Sequence, residues 1–312
     1  MRIHRSWEGL SPDARGASVA MGNFDGVHLG HRAVIDLAAD EAARLGAASG
    51  VVTFEPHPRQ FFAPDAPPFR LMNAETRANR LEKLGISELY ELPFGPRLAA
   101  LSPEAFAREV LADGLGVAHV VVGTDFRFGK GRAGAAEDLR RLGAAHGFGV
   151  TLAELLNEGG AAVSSTAIRT ALSEGRPQDA ARMLGHWYRI DGEVGSGDKR
   201  GRQIGYPTAN MSIEGLHPPR FGIYAVKVDV LTGPQRGGYL GAASIGVRPM
   251  FGENRANLET FLFDFSGDLY GAHLSVALVD YLRPEAKFES IEALVAQMDA
   301  DCARARKILA SL

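Results

Sequence analysis

Two histidines three residues apart, His28 and His31, head a helical pattern in MGNFDGVHLGHRAV (residues 21–34), with Gly22, Gly26 and Gly30 keeping bulk away. Imidazoles so placed can bind a metal, grip phosphate, or simply be solvated loop residues. A metal needs further ligands at recognisable spacing. The sole cysteine, Cys302, lies far away in a helical stripe, which leaves Asp25 and His57 to be recruited. A phosphate grip suits a helix N-terminus, where free N–H groups and a partial positive charge meet an anion. That dipole contributes only about 0.3–1 kcal/mol, whereas losing one well-aimed donor to a developing oxyanion typically costs about 10²–10³ in rate.

Three other segments hold chemically apt side chains. SSTAIR (164–169) offers hydroxyls on Ser164, Ser165 and Thr166 and a charged fork on Arg169, as helix capping or as a triphosphate grip. GEVGSGDKRGRQIGYPTANM (192–211) is glycine-rich and basic, yet lacks the spacing of a Walker A loop. Its Thr208 and Asn210 are hard oxygen donors beside a rigid Pro207, suited to Mg²⁺, although Pro-Thr-Ala-Asn also reads as a plain turn. In LETFLFDF (258–265) the alternation of Leu258, Thr260 and Leu262 against Glu259, Phe261 and Phe263 sets the acid on one strand face. An isolated glutamate there is usually just solvated.

The elements that must position these groups fall into two rhythms. At 312 residues the chain is long enough for two domains. Short β runs at 17–24, 50–54, 87–93, 118–124 and 148–155 alternate with helical patterns, which predicts a parallel sheet covered on both faces. Val34, Ile35, Ala38, Ala42 and Leu45 mark the first helix from His31, with Gly46 as its stop. Further helices follow Asn73, open at Ser102-Pro103, and span 136–145. EPHPRQFFAPDAPPFR (55–70) reads as a long loop carrying Phe61, Phe62 and Phe69, and loops of that length are usually functional or disordered. Beyond residue 184 come strands separated by Gly- and Pro-rich turns, the pattern of an antiparallel barrel or sandwich. A last helix has Ile291, Leu294, Val295, Met298, Cys302, Ala305 and Leu309 in one apolar stripe.

Composition narrows the class. Hydrophobic residues make up 46% and charged residues 23%, with a net charge of −3, so no general attraction to nucleic acid or anionic membrane is expected. One cysteine fits a reducing, cytoplasmic setting, and no stretch is long and apolar enough to span a bilayer.

GNFDGVHLGH resembles the HxGH signature of the nucleotidyltransferase superfamily, in the version found in bacterial bifunctional riboflavin kinase/FMN adenylyltransferases. FEPHP (54–58), GTDFRFGKGRAG (123–134) and SSTAIR follow in that family's order, and the PTAN segment and the Glu259 strand resemble its kinase half. The resemblance implies an α/β nucleotidyltransferase domain (Rossmann-like, HxGH) over 1–183. A riboflavin-kinase-type antiparallel β-barrel with a C-terminal helix would occupy 184–312. It implies that riboflavin is phosphorylated by ATP to FMN, and that FMN is adenylylated to FAD with release of pyrophosphate. His28 and His31 would hold the ATP phosphates together with Gly22, Asn23, Phe24, Gly30, Ser164, Thr166 and Arg169. Pro56, His57, Pro58, Asp125, Phe126 and Phe128 would meet the flavin. In the kinase half Gly195, Lys199 and Gly205 would hold phosphate, Thr208 and Asn210 would hold Mg²⁺, and Glu259 would be the general base.

The sequence departs from the family at SIGVRPM (244–250), where Ser244 and Met250 stand for a more common Asn and Thr. Two rival readings are another HxGH adenylyltransferase fused to an unrelated β-domain and a non-catalytic flavin-binding protein. The motifs of the second half speak against the first, and the intact His28, His31, Arg169 and Glu259 against the second. Expected partners are the small molecules riboflavin, FMN and ATP; a homo-oligomer stays open.

Overall fold

The computed structural model describes residues 1–154, 157–158, 161–195, 204–250 and 253–312. The chain packs as two compact units, one of residues 1–67 and 77–163, the other of 68–76 and 164–312.

The first unit is built on strands β1 (Arg2–His4), β2 (Ser18–Met21), β3 (Ser49–Glu55), β4 (Glu88–Pro93), β5 (His119–Gly123) and β6 (Gly149–Ala153). All pair in parallel, in the order β1-β4-β3-β2-β5-β6. Their apolar runs are buried on both faces: Val51, Val52, Leu89, Val120 and Val121 are all inaccessible. Helix α1 (Leu29–Leu45) follows β2 and ends on Gly46, which takes the left-handed φ of 65° that closes a helix. The order reverses around β2, since β3 lies on one side of it and β5 on the other. In such sheets ligands bind beyond the carboxyl ends of the strands at that reversal. Here the ends are the segments after Met21 and Gly123.

Three features of this unit differ from the sequence expectation. The edge strand β1 has only three residues, too few to show a period. The 55–70 segment is not all loop, because Pro58–Phe62 forms a short helix, α2, capped by His57. The helix opened by Ser102 passes at Phe106 into a wider-wound stretch to Leu115.

The second unit holds strands β7 (Tyr188–Glu193), β8 (Ala209–Ser212), β9 (Gly222–Val230), β10 (Gly237–Met250), β11 (Glu253–Leu262) and β12 (His273–Arg283). They form an antiparallel sheet in the order β7-β12-β9-β10-β11-β8. Among the described residues, a bridge between Gly195 and Asn210 brings its two edges together into a nearly closed barrel. β8 starts inside the PTAN segment, so that segment is a strand entry and not only a turn. Ile190, Val226, Val228, Ile245, Leu258, Leu274 and Val276 fill the interior. Two helices before the barrel, α3 (Ser165–Ser173) and α4 (Pro177–Leu184), add Ile168, Leu172 and Leu184 to the same core, and the 68–76 segment adds Leu71. The last helix, α5 (Ile291–Leu309), lies on the barrel's outer face, where Ala305 and Leu309 pack on Ala225, Ala242, Val279 and Leu282. The expected stripe on α5 is only partly buried. Ile291, in the helix's first turn, is 62% exposed.

Candidate active sites

After β2 the chain makes a tight turn. Phe24 and Val27 hold positive φ of 49° and 44°, and Gly26 holds 96°. Left-handed backbone at a bulky and a β-branched residue is strained, and persists only where packing fixes it. Both side chains are fully buried, and Asn23 is tied down by Thr53, whose Oγ1 donates to its carbonyl at 3.2 Å. The turn delivers His28 to the N-cap of α1, where its Nδ1 accepts from the His31 N–H at 3.2 Å. That bond leaves the His28 proton on Nε2. A capping imidazole is unusual, since short oxygen side chains normally do this work.

Gly30 makes the fold-back possible. A Cβ at residue 30 would stand 3.2 Å from both Cε1 and Nδ1 of His28. The two imidazoles stack with centroids 3.6 Å apart at 15°, and Phe24 meets His31 edge-on at 5.2 Å. Burial pushes His31 well below the ordinary imidazole value, and the neighbouring His28 pushes the same way. Its Nδ1 is enclosed without a hydrogen-bond partner among the described residues. The result is a stacked imidazole pair, with His31 held neutral, at the head of a 17-residue helix, an arrangement suited to donating hydrogen bonds to an anion.

Around the same sheet edge, His57 caps α2 through Nδ1, accepting from Arg59 N at 3.0 Å. Pro56 is exposed and Pro58 half-buried. Phe61, Phe62 and Phe94 form an edge-to-face cluster with centroids 5.1–5.8 Å apart, and Phe62 is 67% exposed. Asp125 is exposed beyond β5. Phe126 is half-buried and stacks on Phe128, which itself is a core residue packed on Phe106. A group that sequence reasoning missed is Arg77, fully buried and bonded to Glu55 (2.9 Å) and Glu91 (2.7 Å) at the carboxyl ends of β3 and β4. The signal was there, because an acid inside a buried parallel strand such as SELYELP must have a cationic partner.

Ser164, Thr166 and Arg169 belong to the second unit. Ser164 caps α3 by accepting from Ala167 N at 3.2 Å. Arg169 lies on the helix's second turn, with Nε donating to the Phe69 carbonyl at 2.5 Å and the guanidinium over the Phe69 ring.

The barrel carries a second constellation. Cross-strand register sets Ser244, Glu259 and Asn210 in one row over three adjacent strands. Glu259 lies on the face opposite the buried Leu258, Thr260 and Leu262, as the alternation predicts. It lines a cavity of about 240 Å³ between the barrel's outer face and α5. Tyr206, Thr208, Ser244 and Phe261 line the barrel side, Leu294, Met298 and Cys302 the helix side, with Phe288 beside them. The helix is fixed there by a two-pronged ion pair from Arg283 to Asp301 (2.7–3.1 Å). Asn210 Nδ2 donates to the Thr208 carbonyl at 3.1 Å, and Asn257 Nδ2 donates to Asn210 Oδ1 at 3.1 Å. Gly195 N–H reaches the Asn210 carbonyl, and Gly205 is exposed at φ 86°. Lys199 lies outside the described residues.

The described residues thus hold two polar constellations, the His28/His31 pair in the first unit and the row of Ser244, Glu259 and Asn210 in the second. Comparison with known proteins decides what they belong to. The FAD synthetase family model matches residues 10–167 and the riboflavin kinase model residues 184–309. The chain belongs to the bifunctional riboflavin kinase/FMN adenylyltransferase family. A curated member from Pseudomonas fluorescens is 42% identical over 99% of this chain and 98% of its own. Members from Bacillus subtilis and Escherichia coli are 39% and 38% identical, covering 94% and 98% of this chain and 93% and 97% of theirs. A solved Streptococcus pneumoniae chain, described as a macrolide-efflux protein, is 31% identical with a TM-score of 0.81 and 96% coverage of each chain. No helix among the described residues is long and apolar enough to cross a membrane. The second family match removes the rival of an unrelated β-domain. The chemistry of the family is phosphorylation of riboflavin to FMN and adenylylation of FMN to FAD, both from ATP. Among the described residues no three His, Cys, Asp or Glu side chains group as a metal cluster.

Proposed function

We propose that residues 184–312 carry the kinase step and residues 1–183 the adenylyl transfer, with Glu259 and the His28/His31 pair as the respective catalytic groups. The observation that carries the kinase assignment is the position of Glu259, inside a cavity and in register with Asn210. Tyr206, Phe261 and Phe288 give that cavity the flat aromatic walls an isoalloxazine needs. A Glu259 carboxylate at its side takes the proton from the ribityl 5′-hydroxyl as that oxygen attacks the γ-phosphorus, the bond from that phosphorus to the bridging oxygen breaks, and ADP leaves. Thr208 Oγ1 and Asn210 Oδ1 are neutral hard oxygens next to the carboxylate, a donor set that fits Mg²⁺, which keeps most of its waters. Bound with ATP, the ion would neutralise phosphate charge. Gly195, Lys199 and Gly205 are assigned to the ATP phosphates on the family resemblance.

In the adenylyl step the FMN phosphate attacks the α-phosphorus of ATP and pyrophosphate leaves. His28, with its proton on Nε2, donates to oxygens on which charge builds, and the N-terminal N–H groups of α1 add to it. Positioning and charge stabilisation are enough for such a transfer, with no covalent intermediate. Gly22, Asn23 and Phe24 build the turn that aims the imidazoles. Ser164, Thr166 and Arg169 are assigned to ATP phosphates, and Pro56, His57, Pro58, Asp125, Phe126 and Phe128 to the flavin. Of these, His57 and Phe128 shape the site from within, by capping and core packing. A cytoplasmic setting is part of this reading, supported by the single Cys302, whose thiol is pushed up to about 11 chiefly by burial and so stays protonated.

The test is one set of incubations with riboflavin or FMN, ATP and Mg²⁺. His28→Ala and His31→Ala should each lower FAD formation about 10²-fold or more and leave FMN formation within a few-fold. Glu259→Gln should lower FMN formation about 10²–10⁴-fold while supplied FMN still becomes FAD. Normal turnover in either set removes the corresponding assignment.

A further inference from the structure

The riboflavin cavity is bordered by a link that neither the family match nor the motif accounts for. Tyr206 stands immediately before Pro207-Thr208, and its ring lies 4.9 Å from Phe261 on the cavity wall. The residue is 9% exposed, so its hydroxyl needs a partner, and it donates to Asp299 Oδ1 on α5. Asp299 is exposed and directly follows Met298 of the cavity wall. Among the described residues, the other polar fasteners of α5 start from other segments than the one before β8: Arg283–Asp301, itself on the cavity, Arg304–Leu282, and Arg306–Asp264 near the helix end. The Tyr206–Asp299 bond therefore joins the strap that enters β8 to the helix that forms the opposite wall.

We propose that Tyr206 and Asp299 form a positioning pair for riboflavin phosphorylation, a clasp that holds the aromatic wall and the Thr208 strap in their binding shape before substrate arrives. The physical reason is preorganisation. A wall already ordered charges no ordering cost to the ligand, and a wall ordered only part of the time weakens apparent affinity by that fraction. Neither residue takes part in bond making. The clasp acts on how well the flavin is held, not on how fast it reacts once held. This inference rests on the assignment of the cavity to riboflavin.

The experiment uses the full chain. Riboflavin phosphorylation at saturating Mg·ATP is measured for Tyr206→Phe, Asp299→Ala, their double variant and Asp299→Asn, alongside melting temperatures. Tyr206→Phe keeps the ring and loses only the hydroxyl. The expected result is a riboflavin KM raised about three- to tenfold in each single variant, with kcat within about twofold. The double variant should be no worse than the weaker single one, because both remove the same bond. Asp299→Asn keeps an acceptor oxygen and should recover a KM within about twofold of the parent. Unchanged KM in both singles, additive losses in the double, or a fall in kcat at constant KM would overturn the clasp. Where a variant melts early, riboflavin binding is read by flavin fluorescence well below its melting temperature, against the same fold-changes. Glu259→Gln in the same series separates the failures: full turnover there sinks the cavity assignment, whatever the clasp variants do.

Discussion

Gly30→Ala is a small change with opposed effects on stability and catalysis. The added Cβ would sit 3.2 Å from His28 Cε1 and Nδ1, inside the usual carbon contact of about 3.5–4.0 Å, so the ring must give by a few tenths of an ångström. The cap bond from His31 N is already 3.2 Å long and is the first thing to break, at about 1 kcal/mol for a lost cap. Against this, alanine in place of glycine within a helix gains about 1 kcal/mol. The two cancel, and the melting temperature should move by only a few degrees. Catalysis has no such compensation. A misplaced donor costs up to about 10²-fold for a shift near 1 Å, so roughly a tenfold fall in FAD formation from supplied FMN is expected. Riboflavin phosphorylation in the same preparation is the internal control. If FAD formation keeps its parental rate while the melting temperature holds, His28 does not need its folded-back pose, and the catalytic reading of the imidazole pair fails with it.

Replacing Arg77 by Met should cost up to about 3–5 kcal/mol, because Glu91 would lose its buried cation and keep only the exposed Arg5 at 3.3 Å; chemical denaturation measures this, and a loss under about 1 kcal/mol refutes it. Stability should also fall between pH 7 and pH 5. Burial depresses His119 and His31 in the folded chain, so their contribution is complete above the unfolded value of about 6.5 and is lost as pH drops through the folded values. His119→Gln should flatten that slope in a melting-temperature series, and an unaltered slope would exonerate His119. Last, a fragment of residues 164–312 should be more stable than one of 185–312. The shorter piece lacks Ile168 and Leu172 from the barrel core, each worth about 1.5–3 kcal/mol when buried. Equal melting temperatures would show that those helices do not support the barrel.

The parallel sheet was legible because its strands are buried on both faces and leave unbroken apolar runs, and the face of Glu259 because its strand alternates cleanly. Other features depend on tertiary partners and leave little local trace. His28 as a helix cap runs against the preference for short oxygen side chains, and Gly30 explains it only once the ring is seen folded over it. The apolar stripe of α5 looks like core packing from sequence, yet Leu294, Met298 and Cys302 line a cavity and Ile291 faces water. β8 was hidden because Pro207 and Asn210 are turn formers, and only pairing with β11 makes Ala209–Ser212 a strand. The role of Arg77 required knowing that its helix lies over the ends of β3 and β4.

The placement of residues 68–76 has a consequence for how such a protein can be rearranged. That segment precedes most of the first unit in sequence, yet it is woven into the second. Arg70 bridges to Leu216, Asn73 Nδ2 donates to the Asp191 carbonyl at 2.9 Å, and Leu71 is inaccessible in the barrel core. The chain therefore changes unit three times, not once. A single protease cut near residue 164 would leave the barrel fragment still gripping a loop of the other piece, and the two should remain associated after cleavage. Likewise, a chimera joined at one point would bring together a 68–76 segment and a barrel that were never selected as neighbours. Exchange of the kinase half between relatives should succeed only when that nine-residue thread travels with it.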